Sequence, residues 1–263
     1  MSLTWASQAM THPGTVRSAN QDAFVDRPDL RLWAVADGAG GHEHGEVASA
    51  QLRAALETPL ELYGADLVAA VRARVASVHH ALRYRAEWEQ ASTGHAITIA
   101  STLVVFLADG KHFACLWCGD SRAYLLRDGV LMQLTRDHSL VQEMVDAGVL
   151  AAADAERHPH ANVLTRAIGS EGEPPDLDKV TGQAEPGDRF LLCSDGLFKA
   201  LDEERISHLA AGENPALRLI EAALAASARD NVTVVVLHAR LPPEEPLWPL
   251  KPFEWEQERA RRG

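Results

Sequence analysis

Two rhythms of apolar residues run along the chain. The first is a set of short, dense apolar runs: residues 32–36 (LWAVA), 97–108 (ITIASTLVVFLA), 111–117, 123–127, the VLMQL segment after Gly129, 189–193, and VTVVVLHA after Asn231. Their length and β-branched content predict largely buried strands. The second rhythm is helical. Residues 46–56 (EVASAQLRAAL) carry it, and so does the Ala- and Arg-rich stretch 66–89, where Leu67, Val71, Val75, Val78 and Leu82 fall on one face. The His79-His80 pair in that stretch reads as a solvated helix edge.

Punctuation between the runs decides how they pair. Asp109-Gly110 and, more strongly, Asp128-Gly129 are tight-hairpin signals. Strand, turn, strand at this spacing argues for antiparallel sheet rather than a doubly wound one. Residues 139–168 differ in character: SLVQEMVDAGVL reads as a helix with Ser139 and Gln142 in capping-box spacing, and a loop with RHPHAN follows. An insertion of this kind between strands is often a functional lid. Asn214-Pro215 predicts a helix start with Asn as the cap, running to about residue 228. The pattern fits an α+β fold of two stacked sheets with helices outside, spanning residues 1–241, followed by a Pro- and charge-rich tail at 242–263.

Composition narrows the class without changing this picture. A hydrophobic content of 46% with 24% charged residues is ordinary for a globular protein, and a net charge of -12 argues against a nucleic-acid or anionic-membrane surface. No run approaches a membrane span and the N-terminus lacks signal-peptide features, so a cytoplasmic protein is expected. Cys115 and Cys118 form a CxxC, yet positions three apart on a strand face opposite ways, so both are read as strand packing rather than as a zinc or redox pair.

Candidate chemistry concentrates where apolar runs stop. In VADGAGGHEHGE, Gly38-Ala39-Gly40 is followed by Glu43 where a dinucleotide fingerprint needs its third glycine, and no Lys-Ser/Thr follows for a P-loop. The alternative is a carboxylate site. Asp37, Asp120, Asp195 and Asp230 each sit at a strand end or start, three of them beside a glycine turn. Any one alone is most simply a turn residue. Gathered on one sheet rim, they would repel one another, and a shared hard cation such as Mg²⁺ or Mn²⁺ resolves that repulsion. Arg17, in VRSANQDAF, offers a planar fork matched to phosphate oxygens.

RSANQD, VADGAGGH, STLVV, GDSRAY, LTRDHS, NVLTRAIG, CSDGL and RDNVTVVV occur in this order. Together they resemble the metal-dependent protein phosphatase family, type 2C, in its bacterial single-domain form. The resemblance implies a four-layer α/β/β/α sandwich of two antiparallel sheets flanked by helix pairs. It also implies hydrolysis of phosphoserine and phosphothreonine by a water bridging two Mn²⁺ or Mg²⁺ ions. Asp37 would bridge both ions, with the Gly38 carbonyl, Asp195 and Asp230 completing their shells and Asp22 acting through bound water. Arg17 would hold the phosphate, Asp120 would match a weaker third metal, and residues 139–168 would be the family's flap.

Three departures qualify the match. Ala39 stands where many relatives carry a histidine proposed as general acid, leaving His42 as a substitute or the acid unassigned. Gln21 replaces a glutamate. Lys199 replaces a carboxylate that helps the third metal, and an ammonium there would repel a cation. A catalytically silent pseudophosphatase that binds phosphoproteins is the alternative reading, as is a hydrolase of small phosphate esters. The expected partners are a phosphoprotein substrate, an opposing Ser/Thr kinase and, by similarity to phosphatases associated with type VI secretion, a forkhead-associated scaffold.

Overall fold

The computed structural model describes residues 3–40, 44–59 and 62–242. Its elements are β1 (Thr4–His12), β2 (Asp22–Arg27), β3 (Leu32–Ala39), α1 (His44–Glu57), α2 (Gly64–Thr93), β4 (Ala100–Ser101), β5 (Leu103–Asp109), β6 (His112–Cys118), β7 (Arg122–Arg127), β8 (Val130–Gln133), α3 (Leu140–Asp146), α4 (Ala152–Ala155), β9 (Asp178–Gln183), β10 (Arg189–Cys193), α5 (Asp195–Phe198), α6 (Glu203–Ala211), α7 (Pro215–Ala225) and β11 (Val232–Arg240). One sheet runs β1-β11-β10-β7-β8 and the other β2-β3-β5-β6-β9, with β4 attached to β3. Their pairings are antiparallel, as the hairpin signals required.

Three apolar layers follow from the alternation of side chains along the strands. Between the sheets, Trp33, Phe106, Phe113 and Phe190 are buried together, with Trp5 against them. The Phe106 and Phe190 rings lie 4.6 Å apart and tilted, within the range where aromatic pairs attract. The outer face of the β3 sheet packs on α1 and α2 through Leu52, Val71, Val75 and Leu82. The outer face of the β11 sheet packs on α6 and α7 through Ile206, Leu209, Leu219 and Ile220. The result is α/β/β/α. Cys118 belongs to the α1–α2 layer and Cys115 to the inter-sheet layer, so the two do face opposite ways. Burial raises both thiols, Cys118 to about 12.

Several local expectations need correction. β1, β2, β9 and α6 were not anticipated, because polar residues interrupt each apolar pattern. The 97–108 run breaks at Thr102 into β4 and β5. Asp195-Gly196 opens a helical turn rather than a reverse turn. Asn214 does precede α7, but in a left-handed conformation (φ 47°) without a side-chain cap, and the helix ends at Ala225. Ser139 does cap α3, its hydroxyl accepting from the Gln142 amide. His79 is not a solvated edge: it is fully buried. Its Nδ1 accepts from the Gly169 amide and its Nε2 faces the Gly172 carbonyl at 3.1 Å, which ties α2 to the segment before β9. Burial lowers its pKa. His42 and the tail beyond Pro242 lie outside the described residues.

Candidate active site

The acids meet at one rim of the sandwich because strand pairing puts them there. In the β2–β3 ladder Asp22 stands directly opposite Asp37. Two like charges across a strand pair are destabilising by themselves. Asp22 is held from the other sheet: the Ser194 and Thr233 hydroxyls each donate to its Oδ2, both at 2.7 Å. Its buried Oδ1 has no partner among the described residues. Asp195 shows the same asymmetry. Its Oδ2 accepts from Lys199 Nζ, while its buried Oδ1 is bare.

Asp37 is buttressed through its backbone. The Thr102 amide donates to the Asp37 carbonyl at 2.9 Å, and the Asp37 amide donates to Thr102 Oγ1 at 3.1 Å. Ser101 Oγ also donates to that carbonyl. The break between β4 and β5 therefore serves to grip Asp37. Gly119 packs against it, and a Cβ there would lie 2.6 Å from Thr102 Cβ. The glycine beside Asp37 has a similar origin. A Cβ on Gly38 would lie 2.1 Å from the Gly45 carbonyl oxygen, so Gly38 admits the first turn of α1 rather than cradling a phosphate.

Arg17 lies on the loop between β1 and β2, and Asn231 holds that loop. Asn231 Nδ2 donates to the Pro13 and Ala19 carbonyls, and its Oδ1 accepts from the Gln21 amide. The Arg17 guanidinium makes a two-point pair with Asp230, Nε to Oδ1 at 2.9 Å and Nη2 to Oδ2 at 2.8 Å. Arg17 is thus brought to the rim, but engaged with an acid of the cluster.

A cleft of about 200 Å³ opens there, lined by Arg17, Asp37, Gly38, Asp120, Asp195 and Asp230. Asp22 stays behind it. The acids ring the cleft without closing into a ready ligand cluster among the described residues. Their electrostatics are those of an under-compensated site. Burial, then repulsion from Asp22 and Asp195, holds Asp37 well above the usual carboxylate range. Burial pushes Asp22 and Asp120 up to about 7. Asp230 goes the other way: desolvation opposes its charge most, but the Arg17 pair and the Asn231 amide together lower the pKa.

The structure therefore brings Arg17, Asp22, Asp37, Gly38, Asp120, Asp195 and Asp230 to one end of the fold. The supporting set of Ser101, Thr102, Ser194, Asn231 and Thr233 carried no assigned role in the sequence. The available signal was polarity, since each is a small polar residue inside or abutting an apolar strand. The donor set fits hard divalent cations: the oxygens are anionic, and two are buried without a partner, which is costly unless something fills them.

The chain is similar to known proteins over nearly all the described fold. A family model described as Protein phosphatase 2C matches residues 15–231. The serine/threonine protein phosphatase PstP of Mycobacterium tuberculosis (strain ATCC 25618 / H37Rv) is 40% identical over 235 residues, covering 87% of this chain but only 44% of that protein. The serine/threonine phosphatase stp of Listeria monocytogenes serovar 1/2a is 32% identical over 243 residues, covering 88% of this chain and 94% of the relative. Among solved structures, PppA, a key regulatory component of T6SS in Pseudomonas aeruginosa, superposes with a TM-score of 0.79 at 37% identity, covering 90% of this chain and 99% of that one. The catalytic domain of PstP in complex with two manganese ions superposes with a TM-score of 0.77 at 35% identity, covering 91% and 100%.

Proposed function

Because the chain belongs to the protein phosphatase 2C family, we propose that it hydrolyses phosphoserine and phosphothreonine in proteins, using two Mn²⁺ or Mg²⁺ ions. The observation that carries this reading is the pair of buried, unpartnered oxygens, Asp22 Oδ1 and Asp195 Oδ1, beside Asp37. A merely structural carboxylate would have both oxygens satisfied. The manganese-bound structure of the PstP catalytic domain supports the choice of ion.

Asp37, the Gly38 carbonyl, Asp195 and Asp230 would hold the two cations, with Asp22 behind them, and Asp120 would offer a weaker third position. When bound, such a pair supplies an acidified water as nucleophile and electrostatic stabilisation of the entering and leaving oxygens. The chain's own residues do the rest. The grip of Ser101 and Thr102 on the Asp37 backbone fixes that carboxylate against the opposing Asp22. Arg17, whose side chain is 57% exposed, is free to turn from Asp230 towards a phosphoryl group and bind two of its oxygens. That exchange frees Asp230 Oδ2 for a cation, while Oδ1 keeps the Asn231 amide at 2.9 Å. With Ala39 in place of a histidine, the leaving group takes its proton from elsewhere than this position.

A pseudophosphatase is not favoured, since each of the core acids and Arg17 is present at the cleft. The substrate would be a phosphoprotein made by a bacterial Ser/Thr kinase, in the cytoplasm. No helix among the described residues is long and apolar enough to cross a membrane. The likeness to PppA supports a place beside type VI secretion, where a forkhead-associated scaffold would carry the phosphate. The test is turnover of a phosphothreonine peptide by metal-stripped protein given back Mn²⁺ or Mg²⁺. Turnover only with metal, lost in Asp37→Asn and Asp195→Asn, supports the proposal; a folded wild type inert with either ion defeats it.

A further inference from the structure

Within the segment 139–168, which also bridges to Ser101 through Ile168, side chains fasten the loop 156–162 to the cleft wall at two points, both beside the turn that bears Asp195. Lys199, which ends α5, donates from Nζ to Asn162 Oδ1 at 2.7 Å and also to Asp195 Oδ2. Its neighbour Phe198 lies under the Arg122 guanidinium, 3.6 Å from ring centre to Cζ. Arg122 in turn reaches Glu156 at 3.0 Å while paired with the buried Asp137. Glu156 and Asn162 bracket the RHPHA stretch, whose other backbone bonds, such as Ala161 to His158 and Val163 to His160, stay within the segment. Two cations from one wall thus pin the two ends of one loop.

The pins differ in what they sense. Arg122 is anchored on Asp137, away from the bare oxygens, and would hold Glu156 whatever happens in the cleft. Lys199 shares its ammonium between the loop and a carboxylate of the cleft. An ammonium has three donors and no acceptor, so it can satisfy both oxygens at once.

We propose that Lys199 is a positioning residue: it latches the 139–168 segment, through Asn162, to the carboxylate of Asp195, and so sets how a phosphopeptide enters the cleft. The chemistry supports a latch rather than a surface ion pair. The Lys199 and Asp195 side chains are only 26% and 14% exposed, and the lysine stands where a cation would otherwise be needed to neutralise that oxygen. Asp195 keeps its other oxygen free, so the latch and the proposed cation site do not compete for one atom.

The part of this inference that concerns peptide entry rests on the phosphatase reading; the latch itself does not. Hydrogen exchange on the metal-free full chain tests the latch. Amides of residues 158–164 should exchange about tenfold faster in Lys199→Met and in Asn162→Ala, the scale of one charged hydrogen bond, with no change in the sheets. Lys199→Arg should restore most of the protection. Unchanged exchange in both variants, in protein that melts normally, overturns the latch. For entry, the KM of a phosphothreonine peptide should rise about fivefold more than that of p-nitrophenyl phosphate in Asn162→Ala. Equal shifts for the two substrates overturn the positioning role. A wild type with no turnover defeats the phosphatase reading, while the exchange data still decide the latch.

Discussion

Strand β10 is flanked by an aspartate beyond each end, and the two could hardly be treated more differently. Asp188 precedes the strand and is 3% exposed. Arg127 donates to both its oxygens, at 2.8 and 2.6 Å, and the Glu185 amide donates to Oδ2 at 2.7 Å. Asp195, two residues past the other end, keeps a buried oxygen with nothing to accept from among the described residues. The residue type and the strand are shared, although the Asp195 side chain is the more open at 14% exposed. What differs is completion. The fold saturates a carboxylate it uses as a strut and leaves incomplete one at the proposed cation site, as expected where a ligand fills the bare oxygen.

The sharpest way to break this contrast is to neutralise a carboxylate at the cleft. Asp37→Asn should lower metal-supported turnover by at least about 10²-fold, the scale of losing a principal electrostatic group. Steady-state kinetics on a phosphothreonine peptide reads it. The same variant should melt no lower than wild type without metal, since the substitution removes repulsion from Asp22 and Asp195.

Asp188→Ala should do the reverse. Stripping Arg127 of its principal partner should cost about 2–3 kcal/mol, less than a fully buried pair would, because Arg127 is partly exposed and keeps Glu185. Turnover per folded molecule should stay near wild type. Urea unfolding alongside kinetics separates the two effects.

A smaller effect follows from titration. In the metal-free protein Asp22 and Asp120 are raised from an ordinary 3.8 to about 7, and Asp37 is raised too. Between those values the folded state holds more protons than the unfolded chain, so stability falls as pH rises. The melting temperature of metal-free protein should therefore drop from about pH 5 to about pH 8, and Mn²⁺ should recover more of it at the upper end. A metal-free melting temperature that climbs across that range would mean that burial and mutual repulsion do not hold these acids up. Smallest of all, Thr102→Val should cost about 1–2 kcal/mol by removing the acceptor for the Asp37 amide and the partner of Ser121, with a parallel loss of turnover.

The same contrast explains what could be read in the sequence. Dense apolar runs and Asp-Gly turns made β3, β5 to β8, β10 and β11 legible, and with them the antiparallel pairing. β1 and β2 were not, since TWASQAMTH and DAFVDR mix small, polar and charged residues. They border the site, where hydroxyls and acids displace apolar side chains. β9 is an edge strand whose exposed positions are polar. His79 was misread because a histidine on an otherwise apolar helix face looks solvated until Gly169 and Gly172 arrive from 90 and 93 residues away. The acids were legible as punctuation at strand ends. Which of their oxygens would be left bare was not, because that depends on Ser194 and Thr233 meeting Asp22 across the two sheets and on Lys199 turning back to Asp195 within one helical turn.

The central claim is that the carboxylates lining the cleft are seats for cations. Calorimetric titration of Mn²⁺ into metal-stripped wild type, Asp37→Asn and Asp188→Ala tests it most directly. The expected result is binding to the wild type and to Asp188→Ala with matching stoichiometry, and its loss in Asp37→Asn. Mn²⁺ binding that survives in Asp37→Asn, or that fails in a folded wild type, would contradict it.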